Sequence, residues 1–190
     1  MTCIVGYRDP RSGEVWVGGD SAATTHLEVI ILDTPKVFRL GSLVIGGAGS
    51  PLAINALRYA EDFPCTPAVE DLDRYMSTEF PRAVRRVWKK AKVYPDKDGY
   101  YEFGGIVGIH DRVYAVESNL QWEVSAGSFV ATGSGMFAAL GALDVLTRTE
   151  GLSPVELVRD ALDVAARTTP YVRPPFYILS TISGQAVRCD

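Results

Sequence analysis

Residues that build metal centres, disulfide frameworks and histidine triads are scarce in this chain. Its 190 residues include three cysteines, Cys3, Cys65 and Cys189, and two histidines, His26 and His110. An odd cysteine count with no CxxC pair argues against a disulfide framework and against a zinc site. No cofactor or metal is expected, and a reducing, cytoplasmic setting is the simplest expectation. Two histidines leave little material for a histidine-based triad. No apolar run reaches the ~20 residues that a membrane helix needs. The opening residues, Met1-Thr2-Cys3-Ile4-Val5-Gly6, lack the basic-then-apolar pattern of a secretory leader. Positive charge is also in deficit, with 19 basic against 23 acidic residues and a net charge of −4. A nucleic-acid partner held by bulk charge is therefore not expected, nor is a membrane. Hydrophobic residues at 47% and charged residues at 22% are globular proportions, and no linker or repeat divides residues 1–190, which read as one domain.

The first fifty residues read as strands. Thr2–Tyr7 and Glu14–Asp20 flank the turn chemistry of Asp9-Pro10-Arg11-Ser12-Gly13 and form a hairpin. A polar connection, Ser21–Pro35, carries an apolar patch at Leu27–Leu32. Lys36–Leu40 and Leu43–Gly49 follow as a second strand pair. Ser50-Pro51 caps a helix, and a longer helix spans about Val69 to Lys92 with Pro81 as a possible kink. Strands resume at Gly105–Ile109, Val113–Glu117, Trp122–Ser125 and Ser128–Thr132. Gly133-Ser134-Gly135 opens a third helix, Met136–Leu146. Ser153 and Glu156 make a capping box for a fourth, ending near Arg167. A hairpin around Gly184 closes the chain. Antiparallel hairpins separated by helix pairs do not fit βαβ crossovers. They fit an α+β fold: a four-layer αββα sandwich of two antiparallel sheets with helices outside.

The chemically informative place is the N-terminus. A small residue after Met1 generally permits removal of that methionine, which leaves Thr2 with a free α-amine. Such a residue holds nucleophile and base together: the hydroxyl attacks a carbonyl while the amine takes its proton. A nearby cation lowers the amine pKa towards the working pH.

Here the sequence resembles the proteasome β-type threonine peptidases, and within them the HslV type. The resemblance rests on Thr2-Cys3-Ile4-Val5-Gly6, Gly18-Gly19-Asp20-Ser21-Ala22-Ala23-Thr24, Lys36-Val37-Phe38-Arg39-Leu40, Gly46-Gly47-Ala48-Gly49, Ala131-Thr132-Gly133-Ser134-Gly135, and Leu152-Ser153 through Ala165. These blocks keep the family's order over residues 2 to about 167. The resemblance implies the N-terminal-nucleophile hydrolase sandwich and assigns roles. Thr2 is the nucleophile, Lys36 the cation beside it, and Asp20 the partner of Lys36. The Gly46 N–H is the oxyanion donor, and Ser134 bonds near the threonine amine. It also implies a polypeptide substrate, a homo-oligomeric ring and an ATPase unfoldase partner.

The chain departs from the family where an acidic residue and a serine are expected after the fourth helix, reading Arg167-Thr168-Thr169 instead. The first hairpin turn is about two residues longer, and Lys90–Phe103 reads as an insertion. Two other functions fit: an N-terminal-nucleophile amidohydrolase on a small amide, and a non-catalytic self-assembling subunit. Cys3 reads as a small buried strand residue, His26 and His110 as loop residues. Arg82, Arg85, Arg86, Lys89, Lys90 and Lys92 read as a solvated helix face.

Overall fold

The computed structural model describes residues 1–24, 28–64 and 71–190. His26, Cys65 and the expected start of the second helix at Val69 lie outside the described residues. The elements are β1 (Cys3–Arg8), β2 (Val15–Gly19), β3 (Ala22–Thr24), β4 (Val29–Ile31), β5 (Val37–Leu40), β6 (Leu43–Gly49), α1 (Pro51–Arg58), α2 (Leu72–Lys90), β7 (Phe103–Ile109), β8 (Arg112–Val116), β9 (Trp122–Glu123), β10 (Phe129–Gly133), α3 (Met136–Leu146), α4 (Pro154–Thr168), β11 (Phe176–Ser180) and β12 (Ala186–Cys189).

Two five-stranded antiparallel sheets carry the molecule. One has the order β10-β1-β2-β11-β12 and the other β5-β6-β7-β8-β9. Their inner faces meet through small aliphatic side chains, among them Ile4, Val17, Val37, Val44, Ile106 and Val130. The outer face of the β5–β9 sheet is covered by α1 and α2 through an aromatic core that includes Phe38, Tyr75, Phe80, Trp88, Phe103 and Tyr114. The outer face of the other sheet is covered by α3 and α4 through Ala139, Leu143, Val158, Ala161, Leu162 and Ala165. The layers are therefore helix, sheet, sheet, helix, as the element order implies. Among the described residues no helix is long and apolar enough to cross a membrane.

The local signals work as capping and turn physics require. Ser50 accepts from the Ala53 N–H with Pro51 in the first turn of α1. Ser153 and Glu156 form the reciprocal capping box of α4. In the β1–β2 turn, Asp9 accepts from the Arg11 N–H and the Ser12 hydroxyl, and Gly13 takes φ +74°. Helix α2 runs on through Pro81, which lies buried within it. The basic residues of α2 from Arg82 to Lys90, and Lys92 beyond it, are exposed. The Ser21–Pro35 connection is more ordered than its composition suggests. Within it β3 and β4 pair as a small hairpin, Ala22 opposite Ile31. Strands of three residues give too short an alternation to read from sequence.

Register brings distant residues to one sheet end. Cys3 lies opposite Gly133, which sets Thr2 beside Ser134. Ile4 lies opposite Gly19, which sets Asp20 beside Cys3. Lys36 enters β5 on the facing sheet, one residue before Val37.

Candidate active site

Thr2, Asp20 and Lys36 form one buried knot between the two sheets, with relative exposures of 6%, 0% and 7%. The Lys36 ammonium donates to Thr2 Oγ1 at 2.9 Å, to Asp20 Oδ1 at 2.8 Å and to the Ala22 carbonyl. With the Met1 carbonyl at 3.3 Å as a fourth, longer contact, all three protons of the ammonium are engaged. Asp20 is saturated in turn. Its Oδ1 also accepts from the Cys3 N–H at 2.9 Å, and its Oδ2 from the N–H of Ala22 at 2.9 Å and of Arg173 at 3.4 Å. A carboxylate held by three backbone donors and one ammonium has a single orientation, so it fixes where Lys36 points. Burial pushes the Lys36 pKa below the ordinary lysine value, with the charge of Asp20 opposing that shift.

Ser134 closes the other side. Its Oγ accepts from the Thr2 N–H at 3.1 Å and donates to the Thr2 carbonyl at 3.2 Å. The flanking glycines make this approach possible. Gly133 takes φ +89°, and a Cβ there would stand 2.3 Å from the Thr2 carbonyl oxygen. A Cβ on Gly135 would stand 2.8 Å from Cys3 Cβ and 2.9 Å from Val172 Cγ2. The pair therefore belongs to the site as much as the serine between them. The glycines on each side of Ser134 are the signal that the sequence offers for this approach.

Met1 shapes the entrance. Thr2 Oγ1 donates to the Met1 carbonyl at 2.7 Å, and the Met1 ammonium donates to Thr24 Oγ1 at 2.9 Å. Burial, and then the Lys36 charge, hold that ammonium below the ordinary amine pKa. Burial pushes the neighbouring Cys3 thiol up to about 12, so it is a protonated core group rather than a rival nucleophile.

Gly46 does not join this cluster. The Gly47 N–H donates to the Lys36 carbonyl at 3.1 Å, so alternation along the strand turns the Gly46 N–H the opposite way, into β7 opposite Ile106. Its Cα lies against the inter-sheet core, where a Cβ would stand 2.4 Å from Ile4 Cγ2. The N–H groups of Gly47 and Gly49 are those on the Lys36 side. Gly49 lines a cleft of about 400 Å³ beside Thr2, walled also by Ala22, Thr24, Lys36, Asn55, Arg58 and Glu102. The expectation of Gly46 as donor is thus corrected by ladder parity, which a glycine run does not display in sequence.

After α4, no acidic side chain reaches Thr2 among the described residues. Arg173 occupies that loop. Its side chain donates to the carbonyls of Ala166, Thr169 and Val172, and its backbone N–H and carbonyl bind Asp20 Oδ2 and the Ser21 N–H. No group of three or more metal-ligating side chains occurs among the described residues.

No protein-family model and no curated protein matches this chain. Solved structures do. BPH of Thiobacillus denitrificans in complex with epoxomicin superimposes with a TM-score of 0.78 at 16% identity, covering 100% of both chains. A second structure of Thiobacillus denitrificans BPH gives 0.76 at 16% identity, over 100% of this chain and 99% of that one. Eukaryotic HslV of Trypanosoma brucei gives 0.68 at 22% identity, over 94% of this chain and 98% of that one. At these identities the likeness establishes the fold, which is the HslV-type sandwich expected from the sequence.

Proposed function

We propose that this protein is a threonine-type peptidase in which Thr2, freed of Met1, is the nucleophile. One observation carries the reading: the buried Lys36 ammonium bonds Thr2 Oγ1 and Asp20 Oδ1 together, at 2.9 and 2.8 Å, at the wall of an open cleft. With Met1 attached, the Thr2 nitrogen is an amide and has no lone pair to offer as a base. With Met1 removed it is an amine beside Ser134, close to Lys36, whose charge adds to burial in lowering the amine pKa one residue away.

The hydroxyl oxygen of Thr2 attacks the scissile carbonyl carbon, and the α-amine takes the hydroxyl proton. Lys36 stabilises the negative charge that develops on Thr2 Oγ1 as the proton leaves. The substrate oxyanion is met by the backbone N–H of Gly49, since that of Gly47 is held by the Lys36 carbonyl. The C–N bond breaks, the amine proton goes to the leaving nitrogen, and an ester remains on Thr2. Water then adds to the ester, giving its proton to the same amine. The acid departs, and the hydroxyl regains its proton. Asp20 keeps Lys36 charged and aimed, and Ser134 orients the amine.

The substrate of this reading is an unfolded polypeptide, and the working form is a ring in the cytoplasm. An ATPase unfoldase is a possible partner of that ring. Epoxomicin, a peptide epoxyketone named with a neighbour of the same fold, is the probe of choice. Intact mass of the purified protein is expected to lack Met1 and to gain one inhibitor adduct, which is lost in Thr2→Ala. Retained Met1 without an adduct would instead identify a non-catalytic assembly subunit. An adduct together with hydrolysis confined to small amides would identify the amidohydrolase.

A further inference from the structure

The cleft beside Thr2 holds a cation that the chemistry above does not use. Arg58 is the last residue of α1 and lines the cleft wall with Asn55 and Glu102. Its guanidinium lies 4.6 Å over the Phe38 ring, and Nη2 donates to the Pro35 carbonyl. These contacts fix the plane of the fork. The remaining nitrogens are not satisfied. Nε is sealed from water without an acceptor. Nη1 has no hydrogen-bond partner among the described residues.

No carboxylate pairs with Arg58 among the described residues, and unlike Arg82, Arg85 and Arg86, which also lack one but are exposed, Arg58 is half-buried. Glu102 shares the cleft wall yet is exposed and makes no ion pair with Arg58. The other side-chain cation of the cleft wall, Lys36, is already neutralised by Asp20. A half-buried guanidinium that has lost water and gained no anion is under-solvated, which burial also registers as a lowered pKa.

We infer that Arg58 is a specificity-determining residue that binds an acidic side chain of the substrate polypeptide. The inference rests on the peptidase reading for the identity of the ligand, but the binding itself does not require Thr2 chemistry. A planar carboxylate can reach the Nη1 side, which unlike Nε is not sealed, of a fork that Phe38 and Pro35 already hold in place, so little ordering is lost on contact.

The test uses the Thr2→Ala protein, which cannot turn over, and fluorescent peptides with amidated C-termini. The peptides differ by Glu against Gln at one position, moved residue by residue along the chain. Fluorescence anisotropy is expected to show one position at which Glu binds about 10- to 100-fold tighter than Gln. Arg58→Gln is expected to erase that ratio, and Arg58→Glu to reverse it in favour of Lys over Gln. Glu102→Gln is expected to enlarge it. Thermal unfolding of each variant confirms that the fold is retained. Equal binding of the Glu and Gln series at every position overturns the inference, as does a Glu preference that survives Arg58→Glu. Loss of the epoxomicin adduct in wild type would overturn the peptidase reading while leaving this measurement intact.

Discussion

Two ion pairs tie the same two sheets together at opposite ends of β1. At one end Lys36 of the β5 side meets Asp20 of the β2 side at 2.8 Å, with side chains 8% and 0% exposed. At the other, Arg8 of β1 meets Asp111 of the β7–β8 turn at 3.6 Å, with side chains 39% and 43% exposed. The residue chemistry is alike, but the surroundings differ. Asp111 leaves Oδ1 without a protein partner, whereas Asp20 is held by three backbone N–H groups and Lys36. The wet pair fastens the end of β1 to the β7–β8 turn and is screened by salt. The dry pair cannot relax, and so it holds the hydroxyl of Thr2 at a defined distance from a charge. Burial with full hydrogen-bond satisfaction makes an ion pair a machine part.

The most damaging way to break the dry end is Asp20→Asn. The carboxamide N–H₂ would face either the Lys36 ammonium or backbone donors, leaving a buried cation without a counter-ion. A loss of about 3–5 kcal/mol in denaturant unfolding is expected, together with loss of the Thr2 adduct. Gly135→Ala presses a methyl group onto Cys3 and Val172 and tilts the turn that carries Ser134. A cost of about 1–3 kcal/mol is expected, with slower adduct formation in the molecules that remain folded.

A subtler test uses pH. Because burial lowers the Lys36 pKa in the folded chain, the unfolded chain binds more protons between that value and the ordinary lysine value. Wild-type stability should therefore gain with rising alkaline pH relative to Lys36→Met, which lacks the group. Denaturant titrations of both proteins across that range check the sign. The smallest effect belongs to the wet end. Asp111→Asn should cost at most about 1 kcal/mol, less at high salt, and leave the rate of Thr2 modification unchanged. A large effect there would erase the contrast between the two ends.

Much of this architecture is legible because it is written in local chemistry. The Ser50-Pro51 and Ser153/Glu156 caps, the Asp9–Gly13 turn and the small residues around Ser134 each act over a few residues. Their signatures survive without any knowledge of neighbours. The β3–β4 hairpin was not legible, since three-residue strands such as Ala22–Thr24 acquire their pairing only from the partner strand. Nor was the role of Arg173, whose side chain ties off α4 while its backbone steadies Asp20. Backbone donors carry no residue-type signature.

By itself, then, the sequence determined the four-layer class, the order of the elements other than β3 and β4, and Thr2 as a candidate nucleophile. Those follow from periodicity, capping and residue chemistry, which are properties of short stretches, whereas Asp20, Lys36 and Ser134 became candidates through the resemblance of whole blocks to a family. Only the tertiary structure decided that these four meet within hydrogen-bond reach, that the Gly46 N–H is spent on β7, and that Arg58 stands unpaired in the cleft. Each depends on strand register and on which groups lose water. Both are set by contacts between residues far apart in the chain.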